Sequence, residues 1–219
     1  MSLIQAEKIS KTFEDPLFTL FENISLSINP HETISCVGRS GEGKSTLLHI
    51  LGTIEPATTG TITVQGKDIS ELPLNALRNS LFGFIFQSFH LLEDYDVLAN
   101  VLLPAQIGRK VTPYYIERAR YLINQIGLDH RISKKVKYLS GGEKQRVAIA
   151  RALIMEPHII FADEPTGNLD SATAEPIIKL LFDSVSSENT ALFLVTHQED
   201  LSKACQKQYL LERGKLEQL

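Results

Sequence analysis

The sequence predicts an α/β fold: an antiparallel β subdomain and a central strand–helix core, with a small helical lobe inserted. Three observations predict it. A glycine-rich loop, "GRSGEGKS", lies between a β-branched run and a helical one. Two compact apolar runs, "HIIFA" and "ALFLV", are separated by a helical stretch, as in parallel βαβ units. From Gln87 to about Leu139 there is little strand pattern, and "TPYYIERARYLINQIG" reads as a strong helix.

The elements follow in order. In "NISLSI", Ile24, Leu26 and Ile28 alternate with polar residues, the period of a half-buried strand. "TISCV", Thr33 to Val37, suits a buried central strand. Thr61 to Val64 precede a turn at Gly66, which predicts a hairpin. In the middle helix Thr112 is placed to cap, Pro113 takes the first helical position and Gly127 ends it. Ile116, Ala119, Ile123 and Ile126 share one face.

Composition bounds the function. The chain has 219 residues, 43% hydrophobic and 22% charged, enough for one well-packed domain and unlike a disordered chain. Its net charge of -4 makes no electrostatic case for nucleic acid. Cys36 and Cys205 cannot build a disulfide framework or a metal cluster, and Cys36, in an apolar run, reads as a small buried hydrophobe. "MSLIQAEKISK" has no signal-peptide apolar region, and the longest apolar runs are too short to cross a bilayer. The expectation is a cytosolic chain that reaches a membrane only through a partner.

Gly38 to Ser45 fits the P-loop pattern, with a strand before and a helix after. Its glycines let main-chain amides wrap phosphate oxygens, so Gly38, Arg39, Ser40, Gly41, Glu42, Gly43, Lys44, Ser45 and the following Thr46 are the expected nucleotide-binding residues. Lys44 supplies a point charge to the outer phosphates, and the Ser45 hydroxyl is a ligand for Mg²⁺. Glu42 is odd, because a carboxylate repels a polyanion. Its side chain is expected to turn outward, to solvent or to a basic neighbour.

"HIIFADEPTGNLD" ends an apolar strand in Asp163 and Glu164. Alone, the pair could equally start a helix or lie in an exposed turn. Beside a P-loop, Asp163 is placed to hold Mg²⁺ and Glu164 to polarise the attacking water. His197 ends the next apolar strand and Gln87 ends "FGFIFQ". A γ-phosphate contact for His197 and a Mg²⁺ or water contact for Gln87 compete with a structural histidine and an ordinary loop amide.

"KYLSGGEKQRVAIARAL" has two readings. Ser140 and Glu143 form a capping box, S-x-x-E, which simply starts a helix. That does not account for Gly141 and Gly142, which cost helix stability unless something must approach the backbone.

Together these pieces resemble the ATPase subunit of ABC transporters, over essentially the whole chain. The P-loop Gly38 to Ser45, Gln87, the signature "LSGGEKQ" from Leu139 to Gln145, "IIFADE", "GNLD" from Gly167 to Asp170, and His197 occur in the family's order. The resemblance implies a P-loop NTPase (ABC ATPase) fold with a RecA-like core about 1–86 and 146–219 and a helical lobe about 87–145. It implies ATP and Mg²⁺ as cofactors, Phe13 stacking on adenine, and Ser45, Gln87 and Asp163 at the metal. Glu164, His197 and Gln87 are then the catalytic set. Ser140, Gly141 and Gly142 contact, in trans, the γ-phosphate of ATP held by a second subunit, so ATP binding makes a homodimer. Integral membrane subunits would dock on the helical lobe, at the cytoplasmic face of the inner membrane.

"LRNSLFGFIFQSFHLLEDYDVLANVLLP" and "ADEPTGNLD" look like the subgroup of lipoprotein-releasing (LolD-like), macrolide-export (MacB-like) and cell-division (FtsE-like) ATPases. "GLDHR" and the single-cassette length favour the lipoprotein-releasing type; the alternatives are a MacB-like exporter, an FtsE-like switch or a soluble non-transport cassette. Two residues depart from the pattern. Glu93 stands where the subgroup commonly has Pro. Pro176 falls inside the helix that Asp170 would cap, so that helix is expected either to kink or to begin near Pro176.

Overall fold

A computed structural model describes residues 2–15 and 17–219. The chain runs β1 (Ile4–Glu14), β2 (Leu17–Ile28), β3 (Thr33–Val37), α1 (Lys44–Leu51), β4 (Thr59–Val64) and β5 (Lys67–Asp68). There follow α2 (Leu74–Ser80), β6 (Phe82–Ile85), α3 (Val97–Ile107), α4 (Pro113–Gln125) and α5 (Gly141–Leu153). The last third is β7 (Ile159–Asp163), α6 (Ser171–Ser187), β8 (Ala191–Val195), α7 (Glu199–Lys203), β9 (Lys207–Glu212) and β10 (Lys215–Gln218). Two compact units emerge, one of residues 1–78, 161–164 and 191–219, the other of 79–160 and 165–190.

The first unit holds an antiparallel sheet in the order β2-β1-β4-β5. Ile24, Leu26 and Ile28 face its core, as their alternation predicts, while β2 starts earlier than that pattern, at Leu17. Gln65 and Gly66 both have positive φ, the geometry of a tight hairpin turn whose twist matches its strands. The second sheet of this unit is built on β3. It pairs parallel with β8 on one side, Thr33 opposite Leu192 and Cys36 opposite Val195. On the other side it pairs parallel with β9, Val37 opposite Leu210. All five residues of β8 are buried, as a strand covered on both faces must be. Cys36 is fully buried, and burial pushes its thiol up to about 12.

The second unit is mainly helical. α3, α4 and α5 pack on one another, and Val101, Ala105, Ala119, Ile123 and Val147 along them are buried. Thr112 occupies the N-cap of α4 without a side-chain capping bond, and Gly127 follows the helix in the left-handed region. Ala119, Ile123 and Ile126 are buried as the spacing predicts, joined by Leu122, while Ile116 is half-buried. Arg118 of α4 donates to the Leu153 and Ile154 carbonyls, at the C-terminal end of α5, and pairs with Glu188 at 2.5 Å. A cation there opposes the helix dipole and supplies donors that the last turn lacks.

α6 runs without interruption from Ser171, with Pro176 inside it. The alternative start near Pro176 is not adopted. Proline leaves the Ala172 carbonyl without its helical donor, and both residues lie on the exposed face, where water can serve that carbonyl.

Candidate nucleotide site

In the first unit the sheet register determines which side chains converge. β3 and β8 run parallel and in step, so the loops that follow them leave the same edge. Glu164, just past β7, donates its main-chain amide to the Val195 carbonyl at 2.9 Å. The P-loop, the Asp163–Glu164 pair and His197 therefore emerge together, at the strand ends where α/β folds bind ligands.

The loop's shape depends on two glycines. Gly43, N-cap of α1, has φ +99, and a Cβ there would lie 2.7 Å from a Leu20 methyl. At Gly38 a Cβ would lie 2.2 Å from the Leu211 carbonyl oxygen. Both positions exclude a side chain, and what they leave is bare amide at a helix N-terminus, an anion site by dipole and donors alike. The Lys44 ammonium is buried against the loop and donates to the Gly38 and Arg39 carbonyls at 2.9 Å each. Arg39, Ser40 and Gly41 form the exposed tip, and Thr46 is half-buried.

Glu42 is held from an unexpected direction. Its carboxylate accepts from the main-chain amide of Arg213 at 2.7 Å, in the turn between β9 and β10. The neighbour is a basic residue, but its backbone makes the bond.

The Ser45 hydroxyl donates to Asp163 at 2.9 Å. Burial raises the Asp163 carboxyl above its ordinary value, opposed by that hydrogen bond and by His49 and Lys44. A hydroxyl beside a desolvated carboxylate is a hard-oxygen pair that a divalent cation would stabilise. It fits Mg²⁺, which takes one or two protein oxygens and completes its shell with phosphate and water. No group of three or more His, Cys, Asp or Glu positioned for a metal occurs among the described residues. Glu164 adopts φ +46, strained for a non-glycine residue, and its carboxylate lies 2.8 Å from His197 Nδ1. Phe13 is 39% exposed beneath the Lys11 ammonium, so a large part of its surface is free for contact.

The other expected residues lie in the second unit. Gln87 is exposed, and its main-chain carbonyl accepts from the Asn168 side chain at 2.8 Å. Asn168 lies in the "GNLD" motif, but its bond to Gln87 was not legible, since nothing local marks a contact across 81 positions. Ser140 caps α5: its hydroxyl accepts from Glu143 N, and Glu143 returns the bond to Ser140 N at 2.8 Å, closing the capping box. The glycines have an internal reason as well. A Cβ on Gly142 would lie 2.6 Å from the Thr173 methyl, so a larger residue there fits only if Thr173 shifts. A Cβ on Gly141 would meet the end of the Leu169 side chain at 3.2 Å and the Phe89 ring at 3.9 Å.

Comparison with known proteins agrees with this arrangement. The family model described as ABC transporter matches residues 21–167. The lipoprotein-releasing system ATP-binding protein LolD of Protochlamydia amoebophila is 47% identical, over 97% of this chain and 95% of that protein. The LolD of Wigglesworthia glossinidia brevipalpis is 43% identical, over 99% and 96%. A dimeric bacterial ABC transporter cassette superposes with TM-score 0.86 at 33% identity, covering 99% of this chain and 98% of that one. A second structure of that cassette, in a post-hydrolysis state with ADP and Pi, also gives 0.86, at 32% identity and the same coverage. No helix among the described residues is long and apolar enough to cross a membrane. The chain belongs to the ABC transporter family, as an ABC ATPase of the LolD type.

Proposed function

We propose that this chain is the ATP-hydrolysing subunit of a complex that releases lipoproteins from the inner membrane. The observation that carries the reading is the line of contacts Ser45–Asp163 and Glu164–His197 beside the P-loop. It supplies oxygens for a cation and a carboxylate for a water, side by side. The relatives' names favour lipoprotein release over the export and cell-division readings.

In this reading the amides from Gly38 to Thr46 and the Lys44 ammonium hold the phosphates, and Phe13 stacks on adenine. Ser45, Asp163 and Gln87 would hold Mg²⁺, which would supply positive charge against the phosphates. Glu164 takes a proton from the attacking water, and His197 orients Glu164 and reaches toward the γ-phosphate. Ser140, Gly141 and Gly142 meet the γ-phosphate of a second copy's ATP, so two ATP molecules join two protomers. Loss of the γ-phosphate removes that contact and opens the pair.

The cassette is one domain of residues 1–219, with residues 87–145 as the lobe on which membrane subunits dock, at the cytoplasmic face. The segment after Gln87 supports this. Val97, Val101 and Leu102 are buried, whereas Leu92 and Tyr95 remain 39% and 52% exposed. An exposed apolar surface of this kind suits a partner's helix.

Light scattering on two variants tests the reading. Glu164→Gln should accumulate an ATP-dependent dimer that does not turn over. Ser140→Arg should bind nucleotide and remain monomeric. A Glu164→Gln chain that hydrolyses at the wild-type rate, or a Ser140→Arg chain that dimerises with ATP, overturns it.

A further inference from the structure

Glu93, where the subgroup commonly has proline, lies within the second unit. Its carboxylate is 3.2 Å from the Lys144 ammonium, and the next residue, Asp94, is 2.8 Å from the Lys137 ammonium. Lys137 precedes Ser140 and Lys144 follows Glu143, so two consecutive acids grip both shoulders of the signature turn. The main chain reinforces the grip. Lys137 N donates to the Glu93 carbonyl, Val136 N to the Tyr95 carbonyl, and Asp96 bridges antiparallel to Lys135. Farther along α5, Arg151 donates to the Phe89 carbonyl at 2.9 Å and to that of His90. Proline at position 93 would retain the backbone links and lose the ion pair to α5.

We infer that Glu93 and Asp94 are positioning residues for the signature: through Lys144 and Lys137 they hold Ser140–Glu143 in the geometry that meets a second copy's nucleotide. The inference rests on the proposed role of the signature in trans. Both pairs lie at the surface, Glu93 67% and Asp94 77% exposed, so each contributes modestly and is weakened by salt. Held together at one turn, they act on orientation more than on stability. None of these contacts involves a residue of the P-loop.

The experiment is a charge swap on the full chain: Glu93→Lys, Lys144→Glu and the double variant. It reads kcat and KM for ATP, affinity for a fluorescent ATP analogue, and hydrogen exchange of residues 137–144 without nucleotide. Each single variant is expected to lower kcat roughly two- to fivefold, the range of an exposed pair. Analogue affinity should stay within about twofold, while signature amides exchange faster. The double variant should return both kcat and exchange toward wild type, as coupled residues do.

Single variants with wild-type kcat and exchange, or a double variant no better than the worse single one, overturn the inference. So does a loss of analogue affinity in step with kcat. If Ser140→Arg hydrolyses ATP at the wild-type rate, the role in trans is what has failed. The exchange data then decide alone: restored protection in the double variant supports the grip, and unchanged exchange in the single variants refutes it.

Discussion

His197 Nδ1 lies 2.8 Å from Glu164 Oε2, and the Glu164 main-chain amide is bonded to Val195, two residues before that histidine. Side chain and backbone thus close a small ring that fixes where the carboxylate points. Glu164→Gln removes the proton acceptor and is expected to lower kcat by about 10²–10⁴-fold. His197→Ala removes the brace and the proposed reach toward the γ-phosphate, and a loss of roughly 10²-fold is expected. Phosphate release measures both, and titration with a fluorescent ATP analogue should show unchanged affinity. A His197→Ala enzyme at full rate would separate the histidine from the chemistry.

Asp163 makes stability depend on pH. Burial raises its pKa above the ordinary 3.8, so the folded chain holds that proton more tightly than the unfolded chain. Its contribution is fully present below the unfolded value and is lost as pH rises through the folded one. Asp163→Asn keeps an acceptor for Ser45 and discards the buried charge. Its Tm should exceed that of wild type at pH 7, with the gap shrinking toward pH 4, while Mg²⁺-dependent nucleotide binding weakens. Equal Tm values across that range would show that the carboxylate is not under strain.

Gly142 and Thr173 should behave as a pair. Gly142→Ala brings a methyl within 2.6 Å of the Thr173 methyl, and overpacking of this kind costs about 1–3 kcal/mol. Thr173→Ser removes that methyl and keeps the hydroxyl that bonds Asp170. The double variant should recover much of the loss in a urea melt. Gly141→Ala, facing a movable leucine end and, at van der Waals distance, the Phe89 ring, should melt like wild type. If it still abolishes hydrolysis, Gly141 serves a ligand and Gly142 serves packing; full activity would remove the functional reading of Gly141.

Pro176→Ala restores a main-chain donor inside α6 at an exposed position. It is expected to stabilise the chain by about 1–3 kcal/mol. Thermal melts measure this, and a lower Tm would mean that the proline ring makes a contact worth more than the bond.

The loop, the acid pair and the histidine were legible in the sequence because each sits at a strand end, where apolar run and polar residue are neighbours in the chain. The signature was legible as a capping box, a four-residue pattern. What stayed hidden is contact between distant stretches. Nothing near Glu42 announces that Arg213 binds it, and nothing near Gly142 announces Thr173. The β9–β10 hairpin went unread because its half-buried residues alternate weakly. The start near Pro176 misled for the opposite reason: the helix begins at Ser171, held down by the apolar face of Ala174, Ile177 and Leu181.

The strand that ends in the P-loop, β3, takes both its neighbours, β8 and β9, from the last stretch of the chain. During synthesis β3 leaves the ribosome early and waits for them, roughly ten to thirty-five seconds at ordinary translation speeds. Until then both its ladders stand open, a template for wrong pairing. A chain truncated before Ala191 has every glycine of the loop but no sheet to set it in, so an unfinished cassette should have no working nucleotide site.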